Sequence, residues 1–232
     1  KDSTQIANVA EETYYLDTFK GGSVFYSYDN FKQDSLAKSY GDSWFNVSDR
    51  VFKTYPKYNV TLISKIEQDL FEVKDDRQII WKISSETIQI GVWKSQKATG
   101  NFAGRQWTAW FSTEIPIQDG PYKFHGLPGL ITKIRDETKS HIFVLRSILK
   151  LKNSELNALT TYKKPIVISR EKYITLFKDY RNDPIKNWRQ KGVVKSKEDL
   201  SPDNELLKKI SDSKMKQIGA DNNILEIDLL KP

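Results

Sequence analysis

Residues 102–115, Phe102-Ala-Gly-Arg-Gln-Trp-Thr-Ala-Trp-Phe-Ser-Thr-Glu-Ile115, read as one long β-strand. Trp107, Ala109 and Phe111 recur at a spacing of two, which puts them on one face and Trp110 on the other. Pro116 ends this strand or confines it to an edge, because proline has no N–H to give to a ladder. The same alternation continues outward on both sides. Upstream, Val60, Leu62 and Ile66 sit two or four apart, and residues 70–73 follow as a further strand. Asp75-Asp76 supply a turn. Ile79, Trp81 and Ile83 alternate, Ile88, Ile90 and Val92 do so again, and Gly100-Asn101 supply the next turn. Downstream, residues 130–134 and 142–149 are the arms of a hairpin closed by the polar residues 136–139. Near the start, Gly21-Gly22 precede a short strand over 24–28. Consecutive strands joined by short polar turns predict an antiparallel meander.

Helical signals come late. Ser169 is a candidate N-cap for a segment with Tyr173, Ile174 and Phe177 on its apolar face. Asp183-Pro184 opens a second short helix, and Ser201-Pro202 a third, with Leu206, Leu207 and Ile210 inward and Gly219 as its stop. Ile224 to Leu229 alternates and is expected to return as an edge strand. The expected fold is therefore α+β and β-dominated: a curved antiparallel sheet, a half-barrel being one form of it, with two or three C-terminal helices. Residues 1–232 are read as a single domain, with a polar N-terminal segment over 1–22 and a linker at 191–201 rich in Lys, Ser, Glu and Asp.

Composition removes several function classes. The chain has no cysteine, which excludes disulfides, thiolate metal sites and a cysteine nucleophile. Two histidines, His125 and His141, far apart and outside any His-Glu-x-x-His pattern, make a zinc site an unexpected feature. There is no Gly-x-Ser-x-Gly elbow and no phosphate-cradling glycine loop after a strand, so neither a metal nor a cofactor is expected. No apolar run approaches 18 residues, so no transmembrane segment is expected. The net charge of +7 is uneven: residues 1–90 carry 11 basic and 14 acidic groups, residues 91–150 carry 9 and 4, and residues 151–200 carry 12 and 6. A basic second half suits an anionic partner or a solvated face. No nucleic-acid-binding signature accompanies it, so nucleic acid is not an expected partner.

The densest stretch of unusual residues runs from Ala103 to Ile131. It holds Gly104-Arg105, Trp107, Trp110, Glu114-Ile-Pro116, Gly120-Pro121 and Gly126-Leu127-Pro128-Gly129-Leu130-Ile131. The last six residues are a turn motif in which Gly129 can take a positive φ. They also spell the signature of the GLPGLI family of Bacteroidetes, which this chain resembles. The flanking blocks Gln96-Lys97-Ala98, Trp107-Thr-Ala-Trp110 and Gly120-Pro121-Tyr-Lys-Phe124 fall in the family's order, and weaker similarity extends to residues 23–35, 183–184 and 222–229. Ser95 stands where that family often has a cysteine. The resemblance implies an exported protein whose signal peptide has been removed, hence the periplasm or cell surface, and it implies no reaction.

Three functions are compatible with these residues. The first is a non-enzymatic cell-envelope protein that binds a protein partner, an outer-membrane complex being one such setting. The second is a periplasmic carrier for an apolar or peptide ligand, in which Trp107, Trp110, Tyr122 and Phe124 line a groove and Arg105 fixes a carboxylate. The third is a hydrolase in which His125, paired with a carboxylate such as Glu114 or Asp119, acts as general base. The partner-binding reading is preferred.

Overall fold

The computed structural model describes residues 11–32, 49–150, 164–192 and 203–231. Sequence expectations at Ser201-Pro202 and over most of the 191–201 linker lie outside the described residues. Among the described residues eleven strands divide into two sheets. The first holds β1 (Tyr14–Phe19), β2 (Gly22–Ser27), β3 (Arg50–Thr54), β4 (Asn59–Ile66) and β5 (Asp69–Asp75) in sequence order, with β11 (Ile166–Ile168) added at the β5 edge. The second holds β6 (Lys82–Ile90), β7 (Trp93–Phe102), β8 (Arg105–Ser112), β9 (Leu130–Asp136) and β10 (Ile142–Val144). All neighbours run antiparallel except β11, which lies parallel to β5. The β-dominated α+β class follows from the sequence pattern, but the strands form two meanders, neither closed into a barrel. The break falls at residues 76–81, where Ile79 and Trp81 pack against the second core as irregular chain before β6 begins.

The long strand read over 102–115 is in fact the last residue of β7, a turn, the whole of β8 and the start of the loop after it. β7 runs through Phe102, and Phe102 pairs with Arg105 across a two-residue loop in which Ala103 and Gly104 both have positive φ. Those are the conformations of a type I′ hairpin turn, whose twist matches the flanking strands. Gly100-Asn101, expected as the turn, lie inside β7. The inward face of β8 is as expected: Trp107, Ala109 and Phe111 join Ala98, Phe102, Phe124, Leu127, Ile131 and Ile134 in one core cluster. A second cluster forms on the first sheet from Phe25, Val51, Val60, Leu62, Phe71 and Val73, capped by Tyr173 and Leu229.

Tyr173 comes from helix α1 (Arg170–Asn182), which packs on β4 and β5. Ser169 caps it as expected, its side chain accepting from the Lys172 N–H at 3.2 Å. Helix α2 (Lys186–Lys191) begins two residues beyond Pro184. Helix α3 (Asn204–Ala220) is capped by Asp203, runs past Gly219, and buries Leu207 while Leu206 stays exposed. The expected C-terminal edge strand is absent from 224–229; a 3-10 turn over Ile227–Leu230 takes its place. No helix among the described residues is long and apolar enough to cross a membrane.

Candidate functional site

The 17 residues between β8 and β9 carry the first four residues of the turn motif, and part of the segment is drawn into the molecule while Glu114, Gln118, Gly126 and Pro128 stay exposed. Asp119, Phe124 and Leu127 are wholly buried, and Lys123 nearly so. Backbone bonds stitch the segment to itself and to β9: Leu130 N donates to Ile115 O at 3.1 Å, Ile131 N to Asp119 O at 2.9 Å, and Gly126 N to Gln118 O at 3.1 Å.

Two buried ionic groups hold this segment to the first sheet. In the first, the Lys53 ammonium on β3 pairs with Asp119, both side chains being fully inaccessible. Lys53 also donates to the carbonyls of Gly120 at 2.7 Å and Tyr122 at 2.9 Å. Asp119 accepts from Ser23 Oγ on β2 at 2.6 Å, from the Tyr55 hydroxyl and from the Gly120 N–H at 2.6 Å. Burial pushes the Lys53 amine below its usual value, against the pull of Asp119. A charge taken out of water is tolerated only when paired and hydrogen-bonded, and this one is both.

In the second group, Lys123 meets Asp75 at 2.8 Å and Glu226 of the C-terminal segment. Arg77 spans Asp75 at 2.5 Å, Glu226 at 2.6 Å and Asp228 at 2.9 Å, with its guanidinium over the Phe102 ring. Arg170 of α1 reaches Asp228 at 2.9 Å, and the Tyr122 hydroxyl donates to Glu226 at 2.5 Å. Burial alone would raise the Asp75 and Glu226 carboxyls. The cations overcome it: hydrogen bonds from Arg77 and Lys123 hold Asp75 well below the usual range, and the charges of Lys123 and Arg77 lower Glu226. Asp136 is lowered too, burial being outweighed by the Thr138 hydroxyl, the His141 N–H and Arg105.

These three carboxylates predict an acid limit to stability. Each titrates lower in the folded chain than the roughly 3.9 (Asp) or 4.3 (Glu) of an unfolded one, so its contribution is complete above about pH 5 and drains as pH falls below about 4. The loss is at most about 1.4 kcal/mol per pH unit for each group. Urea midpoints measured from pH 7 to pH 3 should fall steeply below pH 4, and Glu226→Gln should flatten that fall.

The residues singled out from sequence are largely committed to the fold. Arg105 gives Nη1 to Asp136 at 3.0 Å, Nε to Leu225 O at 3.1 Å, and Nη2 to Ile224 O at 2.7 Å and Asn223 Oδ1 at 2.6 Å, fastening the C-terminal segment to β8. Trp107 and Phe124 pack edge to face at 4.6 Å, and Phe102 meets Phe124 at 5.6 Å. Trp110 faces away from that core, as its spacing implies, yet is only 6% exposed; Lys133 and Arg135 lie over its ring. His125 is stacked flat on Tyr58, with Nδ1 2.9 Å from Lys123 O, and burial lowers its pKa. Glu114 is exposed on the turn after β8, and the two share no hydrogen bond or ion pair among the described residues. Among those residues no group of acidic or histidine side chains is arranged to hold a metal.

Sequence reasoning passed over Lys53, Lys123 and Glu226 and took Asp75 only for a turn residue. Lys53 did carry a signal: it shares a face with Val51 on a five-residue strand, so one charge falls at an inward position. An open depression of about 390 Å³ lies at the β7–β8 hairpin tip, lined by residues 101–106. The most accessible feature of the second sheet is its outer strand. Among the described residues β6 ends the strand order and is bonded to β7 alone, and of its nine residues only Ile90 is buried. Ile83 on it is 49% exposed, and Ile80 and Val92 beside its ends are 80% and 78% exposed.

The chain is thus a two-sheet, β-dominated protein whose sheets are joined by buried ion pairs and whose second sheet has an open edge. A family model described as a protein of unknown function, Porph_ging, matches residues 101–133, the stretch from the β7–β8 hairpin to the bulge of β9. No curated protein matches the chain. Among solved structures it is similar to PNGF-II in a P21 space group, at 16% identity and a TM-score of 0.57 over 75% of this chain and 31% of that one. PNGF-II in a C2 space group gives 12% identity and a TM-score of 0.52 over 74% and 30%. The chain therefore spans about three-tenths of PNGF-II, and at these identities the likeness is one of fold.

Proposed function

We propose that this chain is a non-enzymatic cell-envelope protein of the GLPGLI type that docks a protein partner along the free edge of its second sheet, as a subunit of an outer-membrane complex would. The observation that carries this reading is β6: a nine-residue edge strand, open on one side and exposed on both faces, with Ile80, Ile83 and Val92 presented around it. Such an edge offers roughly 30 Å of main chain for an added strand. Unprotected, it would pair indiscriminately. Two features blunt that tendency: the register shift between Ile83 and Thr87, and the charges of Lys82 and Glu86. Both favour a chosen partner over a random one. The carrier alternative is less well supported, because Trp107, Tyr122 and Phe124 are packed on one another and Trp110 lies on the other face of the sheet.

The test compares the tagged chain with an Ile83→Lys/Ser85→Pro variant in affinity isolation from solubilised native envelopes. Ser85 has no register partner on β7, so the proline removes an edge N–H and leaves the β6–β7 pairs in place. A membrane protein recovered in stoichiometric amount with the parent chain should be largely lost with the variant. Equal recovery with both would refute docking at this edge.

A further inference from the structure

The outward face of the second sheet carries a second feature, centred away from the β6 edge, that the buried ion pairs do not use. Register places two cross-strand rows on it. One runs Val144, Lys133, Trp110, Lys97; the other runs Ile142, Arg135, Thr108, Thr99, Lys82. Four cations thus share a face about four strands wide, on strands spaced about 4.8 Å apart. Glu86, at the β6 edge, is paired with Lys97 at 2.6 Å. Glu137 stands beyond the end of β9 and makes no ion pair among the described residues. Lys133 and Arg135 likewise have no carboxylate partner there; what they have is the Trp110 ring, with centroid distances of 5.5 and 5.7 Å. The contrast within the molecule is sharp, since Arg77, Arg105, Lys53 and Lys123 are each matched to acids.

We propose that this face, centred on Lys133 and Arg135 over Trp110 and flanked by the Thr99 and Thr108 hydroxyls, binds an acidic polysaccharide through its carboxylate or sulfate groups. Two like charges two residues apart on one strand stand close enough to be bridged by one anionic group or by neighbouring groups of a polymer. The indole holds both side chains in place, so less freedom is lost on binding. The face also selects between polyanions. Nucleic acid binding uses open rings on which bases stack, and Trp110, the aromatic of these rows, is covered. The hydroxyls suit sugar hydroxyls and acidic substituents alike.

The probe is heparin, with polyuridylate and phosphatidylglycerol vesicles as competing probes at the same low ionic strength. Lys133→Glu/Arg135→Glu is compared with Lys208→Glu/Lys216→Glu, an equal charge change on exposed positions of α3. The site variant should weaken heparin binding by about tenfold or more, with the effect of salt reduced, while the α3 variant changes it little. Lys133→Gln/Arg135→Gln, which introduces no new acid, should show an intermediate loss with an unchanged melting temperature. In the parent chain, heparin should protect Lys133 from acetylation more than Lys208, a readout independent of any variant. Equal losses in the two charge-reversed variants, unprotected Lys133, or tighter binding to polyuridylate or to vesicles than to heparin would each overturn the proposal.

Discussion

Gly129→Ala is expected to cost the fold about 3 kcal/mol or more, at the top of the range for overpacking a close-packed interior. A Cβ at Gly129 would stand 2.1 Å from the Ser112 carbonyl oxygen and 2.6 Å from its carbon. Both are backbone atoms of a strand that Leu130 pairs with, so neither can turn aside. The neighbouring Gly126 makes the contrast. It is exposed, and nothing lies within 4 Å of its would-be Cβ, but its φ is +88°. Gly126→Ala should therefore cost only roughly 1–2 kcal/mol, the penalty of a side chain in a left-handed conformation. Thermal melts would separate the two, at roughly 2–4 °C per kcal/mol for a chain of this size. A Gly129→Ala protein as stable as Gly126→Ala would show that β8 yields here, against the packing described.

Lys53→Met is expected to be as damaging, at about 3–5 kcal/mol, the usual cost of stripping one partner from a buried ion pair. The substitution keeps most of the stem and removes the ammonium. Asp119 is then left buried with the Ser23 and Tyr55 hydroxyls but no cation, and the Gly120 and Tyr122 carbonyls lose their donor. Because the penalty is mainly the orphaned charge, Lys53→Met/Asp119→Asn should recover part of it. Urea unfolding of the two single variants and the double variant closes a cycle, whose coupling should be well above the 0.5 kcal/mol typical of independent sites. Additive losses would mean that Lys53 serves the carbonyls alone.

Much of this architecture was legible because alternation is a local property. The inward set Trp107, Ala109 and Phe111, the cap at Ser169, and the opposite facing of Trp110 all follow from spacing within one element. Expectations failed where a nonlocal contact decided the outcome. Ile224 to Leu229 alternates like a strand, but Arg105 takes up the carbonyls of Ile224 and Leu225, and Arg77 and Arg170 gather Asp228, so the segment turns instead of pairing. Gly129 looked like a residue needing positive φ; the positive φ belongs to Gly126, and Gly129 is needed for a close approach that only the folded pair of strands creates. Asp75 looked like a turn residue because its partner Lys123 is 48 positions away, and Glu226, which shares Lys123 and Arg77 with it, is 151 away. Arg105 and the aromatic set, read as ligand-facing, are chemically suited to that task, but residue type alone could not show that the C-terminal segment and the 113–129 loop already occupy them. The open edge of β6 was invisible for the same reason, since a strand's rank in its sheet is set by which neighbours it lacks.

The docking account is tested most directly by amide hydrogen exchange, measured on the chain alone and on the chain held by its envelope partner. In the free chain, the amides of residues 82–90 that face away from β7 should exchange fast, having no strand beyond them. In the complex, slowed exchange should be concentrated over 82–90. Unchanged exchange there, with protection appearing instead on the first sheet or the helices, would contradict the account.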